Sequence, residues 1–242
     1  MKSPPTFRPL YGQIRALIEQ ALDAGEWAPG RSIPSELELA ARFGVSQGTV
    51  RKAIQALAGE NLLVRRQGKG TFVATHTEEK ASNFRFLRIR RDDGQPEHPR
   101  SRLIDLRRAR ASAETARPLL LKPGDAIFVL RRILEYGGSP AVLDQISLPA
   151  LLFRGLTRDR CAAYPGSMYG FFEAEFGVRM LRADERLSAV VAEAGSAALL
   201  RVAIGTPLLA VDRVAYTYAD RPVEMRRGLC TTHHQHYWNT LT

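Results

Sequence analysis

Hydrogen-bonding and cationic side chains are concentrated just after Ser46. Gln47, Thr49 and Arg51 fall on the polar side of a segment whose apolar residues recur at helical spacing. Such side chains can donate to or accept from the edges of bases, and a helix is an element that fits the major groove of duplex DNA. Their types and spacing therefore predict sequence-specific contact with DNA.

The segments around these residues predict a helix-turn-helix. Apolar residues between positions 14 and 22 form one stripe of an amphipathic first helix. Ser35 and Glu38 have the spacing of a capping box, which begins a second helix that should end at Gly44. Ser46 can then cap the third helix, so that a short turn joins the second helix to the third.

A basic turn between two short strands is predicted next. Residues 62–66 and 71–73 have strand character, and Gln67-Gly-Lys-Gly70 lies between them. The glycines let the backbone approach phosphate, and Lys69 adds a positive charge. Together, the three helices and this hairpin predict a winged helix-turn-helix. The residues predicted to contact DNA lie at the helix starts and in the wing: Ser35, Ser46, Gln47, Gly48, Thr49, Arg51, Lys52, Gly68, Lys69 and Gly70.

The overall charge fits a polyanionic partner without locating its site. The chain of 242 residues has 35 Lys and Arg against 25 Asp and Glu, a formal charge of +10. Such a balance favours nucleic acid ahead of a membrane surface. Residues 1–75 hold 10 basic and 6 acidic residues, so the excess is spread over the whole chain and only the motifs locate a site.

Cysteine usage and hydropathy exclude several classes of protein. Cys161 and Cys230 form neither a zinc signature nor a disulfide framework. No apolar run approaches the length of a membrane span, and the N-terminus lacks the apolar core of a signal peptide. We therefore expect a cytoplasmic protein without a membrane partner.

A polar stretch from Ala74 to Ser82 divides the chain. It has no apolar period and follows the last predicted strand of the wing. The predicted organisation is a DNA-binding domain over residues 1–75, a linker over 76–82 and a second domain over 83–242. The fold class is α+β, in which the second domain is α/β with an antiparallel sheet.

An internal repeat is visible in the second domain. Gly124 and Gly205, which are 81 residues apart, each precede a predicted strand, and Pro140 and Pro222, which are 82 apart, lie in the turns that follow. Arg132 and Arg213 occupy equivalent places in the two strands. The repeat predicts a pseudo-symmetric domain with a ligand between its halves, and the alternative is a coincidence of common hairpin sequences.

The first 75 residues resemble the GntR family of bacterial transcription regulators. The similarity covers nearly the whole domain and includes Ile33-Pro-Ser-Glu36, Phe43-Gly-Val-Ser46 and Gly68-Lys-Gly-Thr-Phe-Val73. Leu37 and Gln47 stand where the family usually has arginine, at typical DNA-contacting positions. Because arginine pairs with guanine and glutamine with adenine, the resemblance implies either an operator unlike the usual one or a lower affinity.

The second domain resembles the chorismate-lyase-like effector domain, called UTRA, of the HutC-type subfamily. That resemblance implies metabolite binding and places its contacts at four positions: Arg132, Asp144, Ser167 and Glu224. A guanidinium can hold a carboxylate or phosphate, and carboxylates accept from hydroxyl or amine groups. The alternative is an internal network of salt bridges. Leu134 and Cys230 replace an arginine and a tyrosine typical of sugar-phosphate sensors, which disfavours a phosphosugar effector.

These observations predict a homodimeric transcription regulator, most simply a repressor. Its partners would be double-stranded operator DNA and a small polar effector that could carry negative charge. We expect no catalytic residue, no metal site and no cofactor, because no catalytic or metal motif is present. Two alternatives stay open: a chorismate-lyase-like enzyme fused to a DNA-binding module, and a constitutive DNA binder whose second domain only dimerises.

Two further segments have no assigned role. His233-His-Gln-His236 could bind a metal or belong to a packed final strand. The arginine-rich segment 83–117 could form a second nucleic-acid patch, although a solvated surface of salt bridges is the simpler interpretation.

Overall fold

The computed structural model divides the chain into two compact units, residues 1–82 and 83–242. It describes residues 9–75, 88–92, 99–164 and 166–239. The predicted linker at 76–82 lies outside the described residues. Among the described residues, no helix combines the length and the apolar character needed to cross a bilayer.

The first unit contains three helices followed by a β-hairpin, which confirms the predicted winged helix-turn-helix. Its elements are α1 (Leu10–Asp23), α2 (Glu36–Phe43), α3 (Gln47–Gly59), β1 (Leu63–Arg66) and β2 (Gly70–Val73). The two strands pair antiparallel. The apolar stripes of the helices meet in a common core, where Ile18, Leu39 and Ile54 are fully buried.

Local capping determines where α2 and α3 begin. The Ser35 hydroxyl accepts from the Glu38 amide at 3.3 Å, while the Glu38 carboxylate accepts from the Ser35 amide at 2.7 Å. α2 ends at Gly44, whose φ of 65° is left-handed and suits glycine. The Ser46 hydroxyl then accepts from the Thr49 amide at 3.2 Å and begins α3. These contacts confirm the predicted starts of α2 and α3. Each start is determined by residues that are close in sequence.

The second unit is built on a six-stranded antiparallel sheet. Its strands are β4 (Arg100–Arg110), β5 (Ala126–Tyr136), β6 (Ser139–Pro149), β7 (Arg182–Val191), β8 (Pro207–Tyr216) and β9 (Pro222–Cys230), in the order β4-β5-β6-β9-β8-β7. A separate two-stranded sheet pairs β3 (Ile89–Arg91) with β10 (Gln235–Tyr237). The helices are α4 (Ala113–Ala116), α5 (Arg158–Ala163), α6 (Met168–Phe176) and α7 (Ala194–Leu200).

The backbone repeats between the two halves of the six-stranded sheet. Each half contains a strand and a helix followed by two strands that are joined in a hairpin: β4, α4, β5 and β6 in the first half, and β7, α7, β8 and β9 in the second. The halves meet where β6 pairs with β9. Gly124 and Gly205 have left-handed φ values of 91° and 85° at equivalent places. Their amides donate to Ala111 and Ala192 at 2.9 and 2.8 Å. The predicted repeat is therefore a real duplication of backbone structure.

The two faces of this sheet are covered differently. Side chains alternate between the faces along a strand. On one face, Ile133 and Leu143 pack against α7. On the other, Leu130 and Ile146 pack against the aromatic residues of α6, while Leu134 and Val142 pack near β3 and β10. Charged residues occupy the second face between these two apolar clusters, and we call it the network face.

Candidate functional site

The outward face of α3 presents the residues predicted to contact bases. Gln47, Arg51 and Lys52 are exposed, whereas Val50 and Ile54 on the opposite side are fully buried. The Lys52 ammonium lies 4.5 Å from the centre of the Tyr11 ring, a cation–π contact. The buried side fixes the helix on its unit and leaves the polar side open to a partner.

Glu36 connects α2, α3 and the wing through one carboxylate. Its Oε2 accepts from Arg51 at 2.9 Å and from Gln47 at 3.2 Å, and its Oε1 accepts from Arg65 on β1 at 2.7 Å. The Glu36 side chain is only 19% exposed. Burial opposes its ionisation, but the hydrogen bond and charge of Arg51 and the charge of Arg65 hold the pKa of Glu36 below its usual value. Glu36 thus orients the candidate base-reading side chains.

The other predicted DNA contacts have structural roles as well. Ser35 and Ser46 cap their helices, and the Thr49 hydroxyl lies 2.9 Å from that of Ser46. In the wing, Gly68 and Gly70 have left-handed φ values of 70° and 104°, which form the tight turn that exposes Lys69. These positions agree with contact to phosphate at helix starts and at the wing, and their DNA roles stay predictions.

Sequence reasoning missed two residues on this surface as contacts. The sequence pattern indicates Arg65 only as part of a strand, although in the structure it shares Glu36 with Arg51. Leu37, noted only as a departure from arginine, is 65% exposed in the first turn of α2. An exposed leucine there offers an apolar contact where an arginine would offer hydrogen bonds.

Arg132 and Asp144 form a buried pair at the centre of the network face. They are neighbours in the register of β5 and β6, and the Arg132 Nε donates to Asp144 Oδ2 at 2.9 Å. Their exposed fractions are 7% and 2%. The structure therefore brings two of the predicted effector contacts together, with their charges already paired.

A second arginine extends the pair toward Glu224. Arg226 lies 3.4 Å from Asp144 Oδ2 and donates to the two oxygens of Glu224 at 3.0 and 2.9 Å. The Glu224 carboxylate, which is 0% exposed, also accepts from the Tyr169 hydroxyl at 2.8 Å. This two-pronged geometry is the strong form of an arginine–carboxylate contact.

Tyr169 carries the network across to β8 and β7. Its hydroxyl lies 3.2 Å from Nη1 of Arg213, whose Nε donates to Glu185 at 2.7 Å. Glu185 in turn accepts from the Tyr237 hydroxyl on β10. A continuous chain of polar contacts therefore crosses the domain from β5 to β10, and we call it the buried network.

The ionisation of the buried network follows from its composition. Burial opposes the charge on Asp144, but Arg226 and Arg132 outweigh it and hold the pKa of Asp144 below its usual value. Burial lowers the pKa of Arg132 although Asp144 stabilises its charge. Burial is also the main cause that raises the pKa of Tyr237, to about 12, with help from Glu185. Asp144 is thus charged, and Tyr237 is neutral, near pH 7.

A pocket lies beside this network, between the six-stranded sheet and the β3–β10 pair. Its empty space is about 360 Å³, a figure that includes open solvent at the pocket mouth. Its wall is made of both charged and apolar residues: Arg88, Ile89, Leu134, Val142, Asp144, Val211, Arg213, Arg226, Gly228, Cys230 and Tyr237. The Tyr136 hydroxyl donates to the Ile89 carbonyl at 2.9 Å and fixes β3 over the sheet.

The predicted effector residues are placed unequally around this pocket. Asp144 lines it, whereas Arg132 and Glu224 lie in the buried network behind it. Ser167 caps α6, where its hydroxyl accepts from the Gly170 amide at 3.1 Å, and it is not among the lining residues. Their roles in binding an effector stay predictions.

Several lining residues were not predicted. No sequence pattern indicates Arg226 as a pocket residue. Arg213 is noted in the sequence only as part of the internal repeat, and Cys230 only as a replacement for a tyrosine of the family. Arg88 and Tyr237 lie near opposite ends of the domain's sequence, and the pairing of β3 with β10 brings them together. No local pattern in the sequence predicts that pairing.

The histidine and arginine segments fall largely outside the site. His236 contacts Asp92 at 2.7 Å and packs edge-on against Trp238. Within the described parts of the chain, no group of three or more His, Cys, Asp or Glu side chains could hold a metal ion. Part of the arginine-rich segment, 83–87 and 93–98, lies outside the described residues.

Comparison with known proteins gives consistent matches over both units. A model of bacterial regulatory proteins of the gntR family matches residues 10–73, and a model of the UTRA domain matches residues 94–236. YurK of Bacillus subtilis, an uncharacterized HTH-type transcriptional regulator, is 30% identical over 217 residues, 89% of this chain and 88% of YurK. The histidine utilization repressor of Pseudomonas putida is 29% identical over 211 residues, covering 85% and 81% of the two chains.

A solved structure matches the second unit. It is the ligand-binding domain of a regulator from Bordetella bronchiseptica that is assigned to the GntR family. The match has 48% identity and a TM-score of 0.64, and it covers 66% of this chain and 99% of that domain. The similarity therefore extends over nearly the whole of that ligand-binding domain.

Proposed function

We propose a repressor function from the premise that this chain belongs to the GntR family of bacterial regulatory proteins and has a UTRA domain as its second unit. The chain is a DNA-binding transcription regulator. The finer proposal is that it represses by occupying an operator and that a small polar metabolite in the second unit changes its operator affinity. The repressor name of the Pseudomonas putida relative supports this direction of regulation.

The observation that carries the proposal is the organised outward face of α3. Glu36 holds Gln47 and Arg51 of that helix and Arg65 of the wing within one set of hydrogen bonds. A helix whose polar end is prearranged in this way can enter the major groove with little loss of side-chain entropy.

A homodimer is part of the proposal. Winged and other helix-turn-helix proteins read two half-sites with two copies of the motif, so the operator should be a near-palindrome. An effector that binds one orientation of the DNA-binding domains better than another shifts the population toward it and thereby alters operator affinity. Because its target is chromosomal, we place the protein in the cytoplasm.

Binding-site selection with the full chain tests the DNA function. We expect enrichment of a near-palindromic duplex, followed by salt-dependent binding that is measured by fluorescence anisotropy. Arg51→Ala should lower the affinity for that duplex. If Arg51 contacts phosphate, the slope of log K against log salt falls by about 0.9, and if it reads a base, one position loses discrimination of about 1–3 kcal/mol.

Arg42→Ala is the matched control for Arg51→Ala. Arg42 is also an exposed arginine of the first unit, but it pairs with Glu26 and stacks near Trp27 at the end of α2. An Arg51 variant with the affinity and salt slope of the Arg42 variant would contradict the assignment. Failure to enrich any sequence would contradict the function itself.

Regulation is favoured over the enzymatic alternative by the names of the relatives, which are regulators and repressors. Turnover of a metabolite by the purified protein would revive that alternative. Operator binding that no metabolite alters would support the constitutive DNA binder.

A further inference from the structure

We propose that the pocket of the second unit takes a small monocarboxylate with an apolar body, and that Arg88 receives the carboxylate. This inference rests on the proposed function, because it specifies the effector of the same domain. It is carried by the charges around the pocket, by the apolar part of its wall and by the position of Arg88.

The charges of the pocket and its network do not cancel. Four arginines surround three carboxylates, which leaves one positive charge in excess: Arg88, Arg132, Arg213 and Arg226 against Asp144, Glu185 and Glu224. Arg132, Arg213 and Arg226 each contact a carboxylate of this set. Among the described residues, no carboxylate pairs with Arg88, so the excess charge lies there.

Arg88 is held at the pocket by the small sheet. Its carbonyl accepts from the Trp238 amide at 2.7 Å, and the next residue, Ile89, pairs with Tyr237 in the β3–β10 register. The side chain is half-buried. A guanidinium that is partly shielded from water and has no carboxylate partner binds an anion more strongly than an exposed one.

The size of the excess charge selects the kind of anion. A carboxylate carries one negative charge and would balance the set, whereas a phosphate monoester carries about −1.5 to −2 near pH 7 and would leave a buried negative excess. Leu134, which is 4% exposed, contributes an apolar wall beside the network.

The remaining wall suits an apolar body with one hydroxyl group. Apolar side chains form most of it: Ile89, Leu134, Val142, Val211 and Cys230. Burial raises the pKa of the Cys230 thiol, so this side chain stays neutral. Asp144 uses Oδ2 for both arginines, while its Oδ1 lies over Gly228, 3.1 Å from where a Cβ would stand. That oxygen can accept from a ligand hydroxyl.

Calorimetric titration of the full chain with matched probes tests the proposal. The probes are mandelate and 2-hydroxyisovalerate, the neutral mandelamide, and the dianionic phenyl phosphate. We expect both carboxylates to bind, and mandelamide and phenyl phosphate to bind at least about tenfold more weakly. That factor is the lower end expected for a hydrogen bond between charged groups.

Arg88→Gln tests the named residue, with Arg90→Gln as its matched control. Arg90 lies two residues further along, in β3, but its guanidinium is 5.9 Å from the centre of the Trp238 ring and is outside the pocket wall. We expect Arg88→Gln to weaken mandelate binding at least about tenfold, with little effect on mandelamide, and Arg90→Gln to change neither. Equal losses for mandelate and mandelamide would overturn the role of Arg88.

Two other outcomes would overturn the ligand class. Tighter binding of phenyl phosphate than of mandelate would show that the site selects a dianion, and no binding of either carboxylate at millimolar concentration would show that it does not take monocarboxylates. Operator binding of the same preparation is measured in parallel. If the wild-type chain binds its operator but neither carboxylate, only this inference fails. If it does not bind operator DNA either, the result counts against the proposed function.

Discussion

Asp144 and Arg226 occupy equivalent positions in the two halves of the six-stranded sheet, and their side chains meet at 3.4 Å. The interval between them is the one that separates Pro140 from Pro222 in the repeat. The duplicated backbone thus places residues of opposite charge at matching points, and the pair joins the two halves at their common boundary. One half contains the Arg132–Asp144 pair, and the other contains adjacent arginines.

The same equivalence explains why the duplicated sheet has a pocket at one end. By the repeat interval, the pocket residues Leu134 and Cys230 correspond to Ala215 and Leu148. At that second end, helix α6 covers the sheet and Phe172 is fully buried in the cluster. At the first end, the short β3–β10 pair is the one element of the described residues that covers the sheet. The difference in covering elements, and not in the sheet itself, leaves space for a ligand.

Asp144→Asn should destabilise the second unit strongly. The change leaves Arg132 and Arg226 without a shared carboxylate in a buried setting, and breaking a buried pair costs about 3–5 kcal/mol. Asp212→Asn is the matched control, because Asp212 pairs with Arg227 at 3.3 Å where the two side chains are 35% and 50% exposed. We expect the control to cost under about 1 kcal/mol. Urea unfolding at pH 7 measures both, and equal costs would contradict the burial argument.

The stability difference between wild type and Asp144→Asn should depend on pH in one direction. Neighbouring arginines lower the pKa of Asp144 in the folded state, while an Asp in the unfolded chain has a pKa of about 3.9. The Asp144 charge therefore makes its full contribution to the free energy of unfolding above about pH 4. That contribution is lost as pH falls through the pKa of Asp144 in the folded state. Unfolding measured at pH 7, 5 and 3 should show a difference that is equal at the first two values and smaller at the third.

Glu36→Gln should reduce the sequence specificity of DNA binding more than its overall affinity. The variant keeps the shape of the side chain but weakens its hold on Arg51 and Arg65. It also removes a negative charge near the surface that would face phosphate, which favours non-specific binding. We expect the ratio of operator to scrambled-duplex affinity to fall, and anisotropy titrations with both duplexes measure it. An unchanged ratio would show that Glu36 does not position these arginines.

Glu38→Gln provides the control for Glu36→Gln. It makes the same chemical change in the first turn of α2, at a carboxylate that contacts only Ser35 in the capping box. This variant should lose a small amount of helix stability and keep the specificity ratio.

The DNA-binding unit could be predicted because its signals are local. Ser35, Glu38 and Ser46 cap helices within four residues of their own positions, and Gly44 ends α2 by its own conformation. The contacts of Glu36 were not predictable, because Arg65 lies 29 residues away and reaches it only after the hairpin packs against the helices.

In the second unit, the sheet was predictable and the pocket was not. The repeat fixes turns and strands through glycine and hairpin positions, such as Gly124 and Gly205. Arg88 and Tyr237 approach each other through a three-residue strand pair that has no alternation long enough to recognise. Arg226 stood in a strand as one arginine among several, and only the register with β8 shows that it lies beside Arg213.

Gln47→Arg should move base preference toward guanine at one position of each half-site. Arginine matches guanine O6 and N7, whereas glutamine matches adenine N6 and N7. Glu36 already accepts from both Gln47 and Arg51, so the new guanidinium would also compete for that carboxylate. Site selection with both proteins should return consensus sequences that differ at that position, and an identical consensus would contradict a base-reading role for Gln47.

Tyr169→Phe should separate the polar role of this residue from its packing role. The ring lies in the apolar cluster of α6 and stacks near Phe172, and the variant preserves both contacts. The lost hydroxyl contacts both Glu224 and Arg213 and so joins them through one atom. Because both partners are buried, its removal should cost about 1–3 kcal/mol of unfolding free energy.

Tyr164→Phe is the control for Tyr169→Phe, since Tyr164 packs against Phe171 at the edge of the same cluster and is only partly buried. Surface substitutions of this kind usually change stability by less than about 0.5 kcal/mol. If Tyr169 also couples α6 to the pocket wall through Arg213, its variant should show a smaller change of operator affinity on ligand binding, even at temperatures where it is fully folded. A Tyr169 variant as stable and as responsive as the Tyr164 variant would show that the buried network is not continuous at this hydroxyl.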